Sequence, residues 1–472
     1  MHILYANRLN LIRYAKRLAC LALALLLLCA GAPPAAALAG PEFEPQSAAV
    51  YLVNLDTGIV VYQKNAHERR ACASLTKMMT ALLLLESGED LSQMLTIPER
   101  LRGEFDKIQE ENGSDADLKI GEQITLLDLL YCTLLPSAND AASVIADHLS
   151  GGDLDGFAAR MTERAAELGC EDTRFSCAHG LYGEGNWSTA YDMALIARAC
   201  REQPLFMQVV TTTEYWLPLS NLHTTPDPEG PSGSSRKLRV TNVLQLPDQE
   251  LYRPYIQGMK TGFTDEAGRC FVSSAVHEGE TWLLAVLGGP IPLAEDGFNQ
   301  AFHDTVDLYD WAFARFEVGA LPAAGEVASR LPLDFCEEAD ILPLYATGSL
   351  TTLLDRVEPG HLQILPNYEG TPQPPIAAGQ VLCTGQVFLD GELLGEVQLA
   401  AGQDYAFSKR LYWRAKLAPY KTQLLLGALA LAFLLFVLLP AVIVLRRRAA
   451  RRRRAARLAA LRRGGYDKAQ RR

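Results

Sequence analysis

Apolar residues recur with different periods in different parts of the chain. From 125 to 200 they return every three or four positions, in TLLDLLYCTLL, NDAASVIADHLS, LDGFAARMTERAAELG and STAYDMALIARAC. That spacing predicts helices, interrupted at Pro136 and at Gly151 and Gly152. ASLTKMMTALLLLESG (73–88) also predicts a helix, ending before Gly88. Its apolar residues surround the axis, so this helix is expected to be buried on every side. YIQGMKTGF, RCFVSSAVHEG and TWLLAVLGG, between 255 and 289, read instead as strands, the last two joined as a hairpin at Glu278 to Glu280. Near the front, AVYLVNLDTGIVV reads as two strands around Asp56, Thr57 and Gly58. A hairpin, then buried helices, then a run of strands implies an α+β domain with helices packed on an antiparallel sheet.

The pattern changes again near 320, where GALPAAGEVAS leads into short alternating runs such as GQVFLDGELLGEVQL. The expected organisation is a domain over 40–318, a small β-rich domain over 319–407, and an amphipathic segment over 408–423. A 22-residue uncharged stretch follows over 424–445, long enough at about 1.5 Å per residue to cross a bilayer of roughly 30 Å. Residues 446–472 form a basic tail. Residues 1–39 read as a secretory signal: basic residues, an apolar run, then Ala37-Leu38-Ala39, with cleavage after Ala39. Cys20 and Cys29 lack the pattern of a lipidated cysteine.

Charge adds orientation. The formal net charge of −11 conceals a tail with 13 basic residues and one acidic, and a segment between signal and tail with 27 basic and 54 acidic. Such a tail is expected in the cytoplasm, against anionic lipid, which leaves the main domain outside a single span. An acidic main domain repels phosphate, so no nucleic-acid partner is expected. Eight cysteines follow the signal, with no C-x-x-C pair or zinc spacing, so neither metal nor cofactor is expected. Cys170 with Cys177 is the disulfide pairing worth testing.

Ser74 and Lys77 stand three apart at the start of the buried helix. That spacing alone is weak, since about two such pairs arise by chance in a chain of this size. Ser234 and Lys237 form a second, in a Gly-, Ser- and Pro-rich stretch (224–237) read as a flexible loop. A serine needs a base, and lysine serves only when burial or another cation lowers its pKa. A second basic residue is therefore required near Lys77. Ser137 and Asn139, at a turn between helices, offer a hydroxyl and an amide. Lys260, Thr261 and Gly262, on a strand, offer a cation, a hydroxyl and a position without a side chain, where an extended peptide could approach closely.

These three groups in this order, within LDTG, ASLTKMMTALLLLE, LLPSANDAA, STAYDMALIA and GMKTGFTDEAG, resemble the D-alanyl-D-alanine carboxypeptidases of the low-molecular-mass penicillin-binding protein group, over residues 45 to 315. The resemblance implies a penicillin-binding-protein/β-lactamase-like transpeptidase fold. It implies release of the terminal D-alanine from peptidoglycan stem peptides through an acyl-enzyme, and acylation by β-lactam antibiotics. By motif, Ser74 would be the nucleophile, Lys77 its base and Ser137 the proton relay. Asn139, Lys260, Thr261 and Gly262 would bind substrate, and the Ser74 and Phe263 N–H groups would form the oxyanion hole. Cys72 stands where the family usually has proline, bringing a thiol near the nucleophile and with it possible oxidation sensitivity. Ala138 replaces a usual glycine. No class A glutamate motif favours a β-lactamase, and the motifs do not choose between carboxypeptidase, endopeptidase and transpeptidase. A catalytically silent stem-peptide binder is disfavoured by the intact Ser74, Lys77, Ser137 and Lys260.

Overall fold

The computed structural model describes residues 40–181, 185–323 and 325–469, with side chains to 460. The predicted signal segment, 1–39, lies outside the described residues. The chain divides into two compact units.

The first unit runs to Leu321 and also takes in 350–363 and 388–394. Its strands and helices appear in this order: β1 Ala49–Asn54, β2 Val60–Lys64, α1 Lys77–Glu86, β3 Met94–Thr96, α2 Arg102–Glu110, β4 Gln123–Thr125, α3 Leu126–Leu134, α4 Asn139–Ser150, α5 Leu154–Glu167, α6 Ala190–Arg201, α7 Pro204–Val210, β5 Glu214–Pro218, β6 Ser234–Arg239, β7 Ile256–Thr264, β8 Gly268–His277, β9 Glu280–Gly289, α8 Gln300–Arg315, β10 Phe316–Leu321 and β11 Leu350–Asp355. The main sheet has the order β2-β1-β9-β8-β7 and is antiparallel throughout.

This sheet is buried on both faces, because alternate side chains along a strand point to opposite sides. Tyr51, Val53, Leu283, Ala285 and Leu287 join a core with α1, α3, α4 and α6. Val50, Leu52, Trp282, Leu284 and Val286 pack with Phe302, Val306, Tyr309 and Phe313 of α8. Two-sided burial is why these strands read as continuous apolar runs rather than alternating ones. The helices begin where the sequence offers caps: Thr125, Asp153, Thr189 and Asn299 each accept a backbone N–H from the first turn of α3, α5, α6 and α8.

The helix expected from Ala73 to just before Gly88 splits in two. Ala73–Thr76 is a 3₁₀ turn, and the α-helix proper starts at Lys77, buried at every position from Lys77 to Leu84. The stretch expected to be a loop around Ser234 and Lys237 is corrected: both residues lie on β6, paired with β5. Lys237 is held there by Glu214 at 2.6 Å and by the face of Trp216.

The second unit comprises 322–349, 364–387 and 395–472. Its core is the five-stranded sheet ordered Val327–Pro332, Ile341–Ala346, Glu392–Ala401, Val381–Leu389 and Leu362–Asn367. Leu342, Leu344, Val387 and Leu399 are buried in it. Beyond the sheet, Lys409–Ala460 is helical, and exposed from Trp413 onward. It is the single helix among the described residues long and apolar enough to cross a membrane, which makes it a candidate anchor.

Candidate active site

Ser74 sits on a turn that the backbone would not adopt unaided. Ala73 has φ +46°, in the left-handed region that costs a residue with a Cβ about 1 kcal/mol or more. Two glycines clamp this turn. A Cβ on Gly180 (φ +77°) would lie 2.0 Å from the Ala73 carbonyl oxygen, and one on Gly262 would lie 3.2 Å from the Cys72 carbonyl oxygen and 3.3 Å from the Leu75 nitrogen. Gly262 therefore also admits the turn that carries Ser74. Thr76 Oγ1 donates to the Ala73 carbonyl at 2.8 Å and closes the turn from within.

Lys77 is fully buried, and its Nζ lies 2.8 Å from Ser74 Oγ, 2.6 Å from Asn139 Oδ1 and 2.9 Å from the His179 carbonyl oxygen. Burial, with the Lys260 ammonium adding to it, holds its pKa well below the ordinary lysine range. A neutral amine has two N–H groups and one lone pair. In that state the two carbonyl-type acceptors would take the N–H groups and the lone pair would face the Ser74 hydroxyl.

Ser137 is also left-handed, at φ +67°, in the link between α3 and α4. The N-cap of α4 is Ala138, without a side-chain cap bond, so Asn139 is no capping residue: its side-chain oxygen accepts from Lys77. Asp140 fastens the same helix start, accepting from the N–H groups of Ala116 and Leu118. Lys260 donates from Nζ to Ser137 Oγ and to the Thr261 carbonyl, both at 2.8 Å. Burial pulls its pKa down to about 7. The Thr261 hydroxyl shares a 2.6 Å hydrogen bond with Thr241.

All eight residues singled out in the sequence thus meet at one end of the first unit. Ser74, Ser137, Asn139, Thr261, Gly262 and Phe263 line a cavity of about 360 Å³, with Thr241 and Arg269 on its wall. Lys77 and Lys260 lie just beneath it, 0 % and 1 % exposed. β7 is the edge strand of the sheet, so its backbone is unpaired on the side of the Ser74 turn. Phe263 is 44 % exposed there, with the Arg269 guanidinium over its ring.

Sequence reasoning missed the segment 177–181. His179 acts through its carbonyl and Gly180 through its lack of a side chain, and neither leaves a side-chain signature. The Cys170–Cys177 pairing that the sequence left to be tested is not formed here: both thiols are free. Cys170 Sγ faces the Asp192 carbonyl, and Cys177 faces His179. The concern over Cys72 is answered as well: it is fully buried, bonded to Thr76, and burial pushes its thiol up to about 12. A protonated, enclosed thiol is inert.

Comparison with known proteins agrees with this geometry. Residues 35–290 match the family profile described as D-alanyl-D-alanine carboxypeptidase, peptidase family S11. The chain is 27% identical to the D-alanyl-D-alanine carboxypeptidase DacF of Bacillus subtilis (strain 168), over 77% of this chain and 87% of that one. It is 31% identical to the D-alanyl-D-alanine endopeptidase of Escherichia coli (strain K12), over 62% and 88%. Among solved structures it is similar to the DD-transpeptidase of Streptomyces K15, with 28% identity and a TM-score of 0.50 over 58% of this chain and all of that one. With a profile that spans more than half of its length, this chain belongs to the D-alanyl-D-alanine carboxypeptidase family of serine peptidases.

Proposed function

We propose that the protein removes the terminal D-alanine from peptidoglycan stem pentapeptides, with Ser74 as nucleophile and Lys77 as its base. The observation that carries this reading is the 2.8 Å contact between Ser74 Oγ and a buried lysine whose other two partners are both acceptors. The Ser74 proton passes to the Lys77 lone pair as Oγ attacks the carbonyl between the two D-alanines. The Ser74 and Phe263 N–H groups receive the oxyanion. Ser137, bridged to Lys260, hands a proton to the departing amine. Asn139 orients the peptide. Lys260 and Thr261 receive the terminal carboxylate, whose negative charge favours the protonated form of Lys260. Water then releases the shortened peptide. β-Lactams acylate the same serine, because the opened ring occupies the place of the D-alanyl carbonyl. Endopeptidase and transpeptidase activity, the names borne by two relatives, share the acyl-enzyme and differ in the bond cut or in the acceptor.

Residues 1–39 direct export, 424–445 span the membrane once, and the basic tail lies inside against anionic lipid. The catalytic domain is then outside, where stem peptides are. D-alanine release from a pentapeptide ending in two D-alanines is the test. Wild-type protein in detergent releases it and Ser74→Ala does not; absence of release from the wild type, or release by the variant, overturns the assignment.

A further inference from the structure

The segment that supports Lys77 from behind carries a second arrangement of reactive groups, outside the substrate cavity. Cys177 Sγ lies 3.8 Å from His179 Nδ1, and His179 Nε2 lies 3.0 Å from Glu104 Oε1 on α2. His179 is 1 % exposed, held between an acid and a thiol. The Leu181 nitrogen lies 3.1 Å from Nδ1. Against the cost of burial, Cys177 and Glu104 raise the pKa of His179, which favours the imidazolium beside the thiol. Two donors address the sulfur itself: the Gly180 N–H at 3.2 Å and Asn186 Nδ2 at 3.7 Å. Cys177 is partly exposed and lines a cavity of about 170 Å³ together with Glu104, Ser143 and Asp155.

The geometry points to Cys177 as a covalent modification site, a thiol that exchanges with low-molecular-weight disulfides and, once capped, disables the neighbouring Ser74–Lys77 pair. The second half of this statement rests on the reading of that pair given above. Burial alone raises the Cys177 pKa, but His179 beside it and the N–H donors more than offset this, bringing it down to about 7. Burial carries Cys72 and Cys170 to about 12 and Cys270 to about 11. Cys132 and Cys200 are pushed well above the usual thiol range. Cys383, the other partly exposed thiol, is raised by burial too, and Cys336 is buried; the thiolate is the nucleophile in exchange, so reaction is directed to Cys177.

In the step itself Cys177 gives up its proton to solvent and the thiolate, held beside His179, attacks one sulfur of RS–SR. A bond forms between Cys177 Sγ and that sulfur, the RS–SR bond breaks, and the expelled RS⁻ takes up a proton and leaves as RSH. A dithiol reverses the exchange. The coupling to Ser74 is steric. The capped sulfur is two residues from the His179 carbonyl that holds Lys77 at 2.9 Å, and three from Gly180, which seats the Ala73 carbonyl. A displacement of about 1 Å at such a support costs on the order of a hundredfold in rate.

The test uses the full chain in detergent with excess 2-hydroxyethyl disulfide at neutral pH. Peptide mapping of mixed disulfides is paired with the rate of acylation by a fluorescent penicillin, each protein scaled to its own untreated rate. The expected result is an adduct on Cys177 ahead of the other cysteines, a loss of at least roughly tenfold in acylation that dithiothreitol reverses, and no loss in Cys177→Ser. First modification elsewhere, full occupancy of Cys177 with acylation intact, or an equal loss in Cys177→Ser overturns the proposal. If untreated wild type takes up no penicillin, the reading of Ser74 fails instead, and the map still decides whether Cys177 is the reactive thiol.

Discussion

Gly180→Ala is the substitution whose effect can be worked most fully from the structure. The new Cβ would stand 2.0 Å from the Ala73 carbonyl oxygen and 2.5 Å from Thr76 Oγ1, where contacts closer than 3.0 Å essentially do not occur. Gly180 is at φ +77°, so the alanine is strained by about 1 kcal/mol or more before any clash. To clear the contact, the Ala73 carbonyl or the 177–180 segment must retreat by roughly 1 Å, which moves Ser74 or the carbonyl that holds Lys77. A misplacement of that size costs on the order of a hundredfold in rate, or about 3 kcal/mol of barrier. The assay is the second-order rate of acylation by a fluorescent penicillin, with thermal unfolding in parallel. Gly58→Ala is the control, because Gly58 has nearly the same φ (+73°) but open space around it, so that it reports backbone strain without displacement. We expect both variants to lose about 1 kcal/mol or more of stability and only Gly180→Ala to lose acylation rate. A folded Gly180→Ala protein acylating within about threefold of wild type would refute the idea that this glycine sets the nucleophile's position.

Other expectations follow from the same contacts. Asn139→Asp places a negative charge 2.6 Å from Lys77 Nζ, which favours the ammonium, so the rising limb of the acylation pH profile should move up by about one unit or more; an unmoved limb would count against Lys77 as the base. Lys260 has a folded-state pKa of about 7 against an ordinary value of 10.5. Between those values the unfolded chain binds more protons than the folded one, so stability should rise with pH across this window, and Lys77 contributes with the same sign. Lys260→Met should flatten that rise in pH-dependent urea unfolding while abolishing D-alanine release. Ser234→Ala, on β6 and outside the cavity lining, should label with penicillin as wild type does.

Much of this was readable in the chain, for identifiable reasons. α4 begins at Asn139 and ends at Ser150 before a left-handed Gly151, as its apolar spacing and the glycine pair predict. The hairpin β8–β9 announces itself through apolar runs long enough to be buried on both faces. The site's side chains were legible because serine, lysine and asparagine at those spacings carry chemistry. Its supports were not. The His179 carbonyl and the seat that Gly180 provides are backbone features, and they depend on two segments about a hundred residues apart meeting in space. Cys72 misleads for the opposite reason: it adjoins the nucleophile in sequence, yet its thiol points into the core, while Cys177, remote in sequence, is the one beside a histidine. In α8 the helical spacing of Phe302, Val306, Tyr309 and Phe313 is overshadowed by the strand run before it.

The central claim, that Ser74 is the nucleophile activated by Lys77, is tested most directly by locating the covalent bond. Wild-type protein, quenched in acid after brief exposure to penicillin and digested, should carry the penicilloyl group on the peptide bearing Ser74 and on no other. Lys77→Met, which retains the serine but removes the base, should carry almost none. An adduct on Ser234 or any other residue, or undiminished labelling of Ser74 in Lys77→Met, would contradict the account.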